Sequence, residues 1–115
     1  MQKGELETGT ALRLWHHICV DLVLDDSKDL SLRQMAILLS VYLEPPPHTV
    51  RGLAAKLNVT KPVITRALDS MGQLKLISRR RDPDDRRNVI ISRTVEGTLY
   101  LEELADLLTT RFKEV

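Results

Sequence analysis

The sequence predicts a mainly α-helical fold that carries one small β-hairpin, an α+β arrangement. Apolar residues recur at helical spacing in five segments, and two short stretches of strand character flank a turn. The chain has 115 residues, of which 43% are hydrophobic and 29% charged, as is typical of a globular domain. We therefore assign residues 1–115 to a single domain.

The first two predicted helices precede a run of prolines. The first covers residues 10–24, and the second begins after Ser31, whose hydroxyl can cap the helix while Gln34 completes a capping box. Pro45–Pro47 end the second helix because proline lacks an amide donor. The apolar residues expected to face the core are Leu12, Trp15, Cys19, Leu22 and Val23 on the first helix, and Met35, Leu38, Leu39, Tyr42 and Leu43 on the second.

Two further helices are joined by a three-residue turn. A brief extended piece at 48–50 leads into a short helix over 50–57 that Thr49 can cap, and Asn58–Thr60 form the turn. The next helix covers 61–74, with Thr60 as its N-cap and Pro62 tolerated in its first turn. Its inward residues are expected to be Ile64, Ala67, Leu68, Met71 and Leu74. This leaves a polar face free for contact.

A β-hairpin follows this second helix directly. Residues 76–79 and 88–92 have strand character, and Asp82–Asp85 supply the turn. Two short helices joined by a tight turn are typical of a helix-turn-helix, and the added hairpin is a wing. The sequence therefore predicts a winged helix-turn-helix, with a recognition helix over 61–74 and a wing over 76–93.

The charge is distributed unevenly along the chain. The formal net charge is +1, but residues 51–93 contain 11 Lys and Arg against 4 Asp and Glu, a net of +7. The segments on either side each have a net charge of −3. A basic middle between acidic flanks is the pattern expected of a polyanion-binding face. The alternative is a solvated surface on which like charges happen to cluster.

The wing sequence resembles that of MarR-type regulators. In that family an Asp-x-Arg triplet is followed by five residues, Leu-Thr, two residues and Gly; Asp85, Arg87, Thr94 and Gly97 match at this spacing. The resemblance extends over roughly residues 30–110. Arg93 stands where the family usually has Leu. Lys75 stands where it usually has Gly, so we expect the corner after the recognition helix to be shaped differently.

The resemblance implies sequence-specific binding of double-stranded DNA and transcriptional regulation, with repression as the expected sign. The helix at 61–74 would enter the major groove, and the wing would contact the minor groove or the phosphates. Asp85 would orient Arg87 within the wing. The predicted DNA-binding residues are Lys61, Pro62, Thr65, Arg66, Asp69, Arg79, Arg80, Arg81, Arg86 and Arg87. A small-molecule effector is common in the family, although the sequence identifies no pocket for one.

The terminal helices are expected to pair two copies of the chain. Residues 95–113 form a helix with an apolar stripe (Leu101, Leu104, Leu108 and Phe112), and the helix over 10–24 is apolar beyond one face. Such excess apolar surface indicates a homodimer. The alternative is that these residues complete the core of one chain. The chain ends at Val115, earlier than is usual in the family, so we expect a short member with an abbreviated last helix.

Other classes of site are not expected. The three histidines do not have metal-ligand spacing, and no phosphate loop or catalytic triad is present, so we expect neither a metal, a cofactor nor an enzyme. Cys19 is expected to be a small buried hydrophobe rather than a redox sensor. One cysteine and no signal or spanning segment indicate a cytoplasmic, nucleoid-associated protein. The alternative function is a winged-helix module that binds a protein partner.

Overall fold

A computed structural model describes residues 7–25 and 28–114. Within these ranges the chain contains helices and a three-stranded antiparallel sheet. In chain order the elements are α1 (Thr8–Leu24), α2 (Leu32–Leu43), β1 (His48–Thr49), α3 (Val50–Leu57), α4 (Lys61–Gln73), β2 (Ile77–Arg81), β3 (Val89–Arg93) and α5 (Val95–Lys113). The predicted winged helix-turn-helix is confirmed, with α3 and α4 as its two helices and β2 and β3 as the wing.

The chain divides into two compact units. One comprises residues 30–100 and the other residues 1–29 together with 101–115. We call the first the winged-helix unit and the second the terminal-helix unit. The sheet of the winged-helix unit has the order β1-β3-β2, with His48 opposite Ile91 and Ser78 opposite Ser92. The sequence predicted the two wing strands, but it did not predict that the short extended piece at 48–49 pairs with β3.

The core of the winged-helix unit is built from α2, α3, α4 and the bases of the wing strands. Fully buried side chains come from α2, α4 and the corner before β2: Ile37, Leu38, Val41, Ile64, Leu68, Met71 and Leu76. On α4 the buried positions recur at three- and four-residue steps, so the intervening residues face outward. The inward face predicted for α4 is confirmed at Ile64, Ala67, Leu68 and Met71.

Several predicted details differ from the structure. On α2 the helix buries Ile37 and Val41, whereas Leu43 is 76% exposed. On α1 the buried residue is Ile18, whereas Leu12 and Trp15 are 65% and 53% exposed. Helical periodicity locates an apolar face but cannot tell which of two adjacent apolar stripes is covered within one chain.

The predicted side-chain caps form at the N-termini of two helices but not at that of a third. Ser31 and Gln34 form the complete capping box of α2, and the Thr49 hydroxyl accepts from the Gly52 amide at α3. Thr60 occupies the N-cap position of α4, but its side chain makes no capping hydrogen bond with the described residues. Its backbone carbonyl instead accepts from Val63 and Ile64. Recognition helix α4 ends at Gln73, one residue before the predicted end.

The corner after α4 is a Schellman motif despite the absence of glycine. Lys75 has φ of 63°, in the left-handed region. Its amide donates to the Gly72 carbonyl at 3.0 Å, and the Leu76 amide donates to the Met71 carbonyl at 3.0 Å. The expectation of a differently shaped corner is therefore wrong. Leu76 and Met71 are both fully buried, and their packing stabilises the motif against the cost of a left-handed lysine.

A tyrosine hydroxyl joins the end of this corner to the base of the wing. Tyr42 donates to the Leu76 carbonyl at 2.9 Å and accepts from the Thr94 amide at 3.0 Å. The Thr94 hydroxyl donates to the Lys75 carbonyl at 2.7 Å and accepts from the Gly97 amide at 2.9 Å. A Cβ at Gly97 would overlap the Tyr42 hydroxyl and the Leu76 carbonyl, so only glycine fits there. Thr94 and Gly97 therefore fix the start of β2 relative to the end of β3.

The terminal-helix unit contains α1 and the later part of α5. Ile18 and Leu104 are buried. Asp21 on α1 accepts two hydrogen bonds from the Arg111 guanidinium, at 2.7 and 2.8 Å. The Arg111 hydrogen bond is the main cause that lowers the pKa of Asp21 below its ordinary value. The bidentate geometry fixes the two helices of this unit to each other.

Candidate nucleic-acid interface

The outward face of α4 presents polar and cationic side chains. Lys61, Pro62, Thr65, Arg66 and Asp69 are all exposed. They lie opposite the buried face of the helix, which holds α4 against the rest of the winged-helix unit. This arrangement leaves the N-terminal half of the helix accessible, as entry into a duplex groove requires.

One ion pair links α4 to the wing. Nη1 of Arg79 on β2 lies 2.7 Å from Oδ1 of Asp69. The Arg79 side chain is 32% exposed and that of Asp69 56%. Asp69 is thus engaged with the wing, and the pair sets the orientation of Arg79 relative to the helix.

The strand arginines lie on two faces of the hairpin. In β2, Arg79, Arg80 and Arg81 are consecutive and exposed, and they stand opposite Ile91, Ile90 and Val89 of β3. Because successive side chains of a strand alternate, Arg79 and Arg81 share one face while Arg80 lies on the other. The structure therefore does not bring all three guanidinium groups together.

Hydrogen bonds between residues close in sequence order the tip of the wing. Oδ1 of Asp85 accepts from the Arg87 amide at 3.1 Å and from Nε of Arg87 at 3.2 Å. Nη1 of Arg81 donates to the Arg86 carbonyl at 2.8 Å, and Oδ1 of Asp82 accepts from the Asp84 amide at 2.9 Å. These bonds leave the side chains of Arg86 and Arg87 exposed at the end of the hairpin.

The electrostatics of the tip favour an ionised Asp85. The Arg87 side chain, then the Arg87 amide, lower the pKa of Asp85 from its ordinary value, and the positive charge of Arg51 adds to the effect. The charged carboxylate of Asp85 is bound by Arg87, which offsets the repulsion that this carboxylate would exert on a polyanion. Asp85 therefore orders the tip of the wing.

Sequence reasoning missed two arginines that the fold adds to this surface. Arg51, exposed on α3, acts electrostatically on the wing-tip Asp85. Arg33 on α2 lines a groove of about 220 Å³ together with Arg66 and Ser70 of α4. Arg51 belongs to the basic segment and could have been found from the charge count. Arg33 could not, because it lies in the acidic half of the sequence.

The remaining kinds of site concern metal ligands, membrane spans and the cysteine within residues 7–25 and 28–114. No group of three or more His, Cys, Asp or Glu residues could hold a metal ion there. Within the same ranges no helix is long and apolar enough to cross a bilayer. Cys19 is a free thiol of intermediate exposure, so it is less buried than predicted.

The sequence of the winged-helix unit identifies the family to which the chain belongs. The MarR family model matches residues 30–89, which is more than half of the chain. The chain belongs to the MarR family. The match covers α2, α3, α4, β2 and the wing tip, so the MarR assignment rests on the same elements that form the candidate interface. A comparison with curated proteins gives no match.

Solved structures share the fold of this MarR-family chain. The YusO protein from Bacillus subtilis has a TM-score of 0.74 at 23% identity, covering 91% of this chain and 74% of that one. RV1404 from Mycobacterium tuberculosis has a TM-score of 0.74 at 22% identity, covering 91% and 71%. Reduced AbfR, solved bound to DNA, has a TM-score of 0.69 at 21% identity, covering 87% and 71%. As a member of the MarR family, the chain is a winged-helix DNA-binding transcription regulator and not an enzyme.

Proposed function

We propose that this MarR-family chain binds specific sites on double-stranded DNA as a homodimer and represses transcription there. The observation that supports this most strongly is the joint exposure of two cationic elements, the face of α4 and the tip of the wing, held together by the Asp69–Arg79 pair. A helix and a hairpin fixed to each other can contact two neighbouring grooves at once.

Recognition helix α4 is proposed to lie in the major groove. Lys61 and Thr65 are exposed on its first two turns, where side chains of a recognition helix reach base edges. Pro62 would contact bases through its apolar ring. Arg66 would contact a phosphate, because it shares its groove with Arg33 and Ser70 and so contributes to a cationic, polar cleft. Asp69 would act through Arg79.

The wing is proposed to anchor the protein to the minor groove and flanking phosphates. Arg86 and Arg87 are exposed at its tip, and Asp85 holds the backbone and Nε of Arg87. Arg79 and Arg81 face one side of β2 and would contact phosphates, while Arg80 faces the other side. Narrow minor grooves attract arginine because their negative potential is enhanced.

The terminal-helix unit is proposed to pair two copies. Exposed apolar side chains are concentrated on its two helices: Leu12, Trp15, Val20, Val23 and Leu24 on α1, and Leu108 and Phe112 on α5. Exposed apolar residues of this number favour an interface over solvent. A symmetric dimer would place two recognition helices on inverted half-sites about one duplex turn apart, and occupancy of such a site would block access to a promoter.

The experiment that tests the DNA contact is a titration of labelled duplex by fluorescence anisotropy at several salt concentrations. Around six phosphate contacts predict a loss of affinity of roughly a thousandfold between low and moderate salt. Arg86→Ala and Arg87→Ala should each reduce the salt slope by about one. Arg13→Ala, an exposed arginine of α1, is the matched control and should leave the slope unchanged. Unchanged slopes in both wing variants would rule out the wing as a DNA contact.

A further inference from the structure

The groove of about 220 Å³ between the start of α2 and α4 brings together two arginines that are distant in sequence. Arg33 lines it from α2 and Arg66 lines it from α4. Val63 and Ala67 add apolar lining, and the residues described around the groove include no Asp or Glu. We call this feature the arginine groove. Its positive charge comes from two separate helices of the winged-helix unit.

The arginine groove follows one side of the exposed face of α4. Arg66 and Ser70 both line it, and because they are four residues apart they form a single stripe along the helix. Thr65 and Asp69 form the neighbouring stripe, each about 100° around the helix axis from the residue that follows it. On that stripe Asp69 is paired with Arg79 of the wing. The exposed face of α4 therefore adjoins the wing on one side and α2 on the other.

Both guanidinium groups of the arginine groove are available to an anion. Arg33 and Arg66 are exposed, and within residues 7–25 and 28–114 neither forms an ion pair with a carboxylate. The polar side chains beside them bond to nearby backbone: Ser31 and Gln34 exchange the two hydrogen bonds of the capping box, and Ser70 donates to the Arg66 carbonyl at 3.5 Å. Like charges that share one groove repel each other, and an anion bound between them removes that repulsion.

We propose that Arg33 and Arg66 bind one backbone phosphate of the duplex between them, which makes α2 a third DNA-contacting element. A helix in the major groove has a sugar-phosphate strand on each side. The wing lies on the Asp69 side of α4, and the arginine groove contacts the strand on the other side. Guanidinium suits this task because its planar donors match phosphate oxygens in two-point geometry. The inference rests on the proposed binding of DNA by α4, and it adds a partner for Arg66 from outside the helix-turn-helix.

The test is the salt dependence of affinity for a labelled nonspecific duplex, measured by fluorescence anisotropy with the full chain. Either arginine alone still neutralises a shared phosphate, so Arg33→Gln and Arg66→Gln should each weaken binding about fivefold and lower the salt slope by less than about half a unit. The double variant should lower the slope by about 0.9, the value for one phosphate. Arg33→Lys keeps the charge and should keep the wild-type slope. Arg13→Gln on α1 is the control and should change neither slope nor affinity.

Other outcomes overturn the inference. A decrease of about two in the slope of the double variant would mean that the arginines contact separate phosphates. A double variant that matches Arg66→Gln in slope and affinity would mean that α2 contributes nothing. A slope that falls in Arg33→Lys would mean that the charge at this position is not what the duplex contacts. Both arginines are exposed, so the variants should unfold at the wild-type denaturant midpoint.

The wing variants separate this inference from the proposed function. If Arg86→Ala and Arg87→Ala lower the salt slope while the double variant of the arginine groove does not, the groove is not a DNA contact and the proposed function stands. If the wild-type chain does not bind the duplex, or binds it without salt dependence, the proposed function and this inference both fail.

Discussion

Asp69 on the recognition helix and Arg79 on the first wing strand form an ion pair, with Nη1 2.7 Å from Oδ1. The two residues belong to the two elements proposed to contact DNA. The pair is partly exposed, so its effect on folding is expected to be small. Its expected role is to fix the angle between a helix in one groove and a hairpin beside it.

A double-mutant cycle tests this role in DNA affinity. Asp69→Asn and Arg79→Gln should each weaken binding, and the double variant should lose less than the sum of the two, with a coupling of about 1 kcal/mol. The pair between Lys56 of α3 and Glu44, the residue that follows α2, is the matched control and should show no coupling in DNA affinity. Strict additivity at Asp69 and Arg79 would show that the pair does not position the wing.

Tyr42→Phe should destabilise the winged-helix unit by about 1–3 kcal/mol. The change keeps the ring but leaves the Leu76 carbonyl and the Thr94 amide without their partner. Chemical denaturation gives the free energy of unfolding. Thr109→Ala removes a hydroxyl that bonds to the helix's own Ala105 carbonyl and should cost less than about 0.5 kcal/mol. Equal stability of Tyr42→Phe and wild type would contradict the proposed junction.

Lys75→Gly should stabilise the protein by about 0.5–1 kcal/mol. Glycine adopts the left-handed conformation of Lys75 without the steric cost of a Cβ, which stabilises the folded chain by about 1–2 kcal/mol. The greater conformational freedom of glycine in the unfolded chain partly offsets this gain. Gln73→Gly, in the last turn of α4, should instead cost about 0.5–1 kcal/mol. The free energies of unfolding should therefore change in opposite directions. A loss of stability in Lys75→Gly would mean that the lysine side chain stabilises the corner.

Asp21→Asn should remove a pH-dependent part of stability. The pKa of Asp21 is lowered in the folded chain, chiefly by the Arg111 hydrogen bond, from an ordinary value of 3.8. A carboxyl with a lowered folded pKa stabilises the protein above its unfolded pKa and loses that contribution as the pH falls through the folded value. The difference in free energy of unfolding between wild type and variant should therefore be largest near neutral pH and decrease below pH 3.8.

The control for this pH dependence is Asp106→Asn. Asp106 is exposed on the same α5 and makes no ion pair with the described residues. Asp106→Asn removes a carboxylate from the same helix without removing the Arg111 contact, so it controls for the change of charge alone. If the difference in free energy of unfolding between wild type and Asp21→Asn is the same at both ends of the pH range, the Arg111 contact does not depend on the charge of Asp21.

The elements of the interface could be predicted because their signals are local. Ser31 and Gln34 mark the start of α2, the spacing of Ile64, Leu68 and Met71 orients α4, and Asp82–Asp85 mark the wing turn. Each of these depends on residues within a few positions of one another. Once the buried face of α4 is predicted, helical periodicity also gives the residues on its outward face.

The remaining features depend on contacts between distant positions. The Tyr42 hydroxyl meets Thr94 across 52 residues, and Arg93 reaches the Val41 carbonyl across the same separation. The sequence therefore placed Tyr42 only on an apolar face and gave no orientation for Arg93. Lys75 was expected to reshape its corner because it lacks the freedom of glycine, but both hydrogen bonds of the Schellman motif form, and Leu76 and Met71 are fully buried. Tertiary packing thus overrides local preference there.

The most direct test of the account is selection of duplexes from a randomised pool by the wild-type chain and by Thr65→Ala. The account predicts that wild type enriches inverted half-sites about one duplex turn apart, and that Thr65→Ala loses preference at one position in each half-site while keeping most of its affinity for DNA. Ser70→Ala, later on the same helix and also exposed, should select the wild-type site. Failure of wild type to enrich any site, or an unchanged site in Thr65→Ala, would contradict sequence recognition by α4.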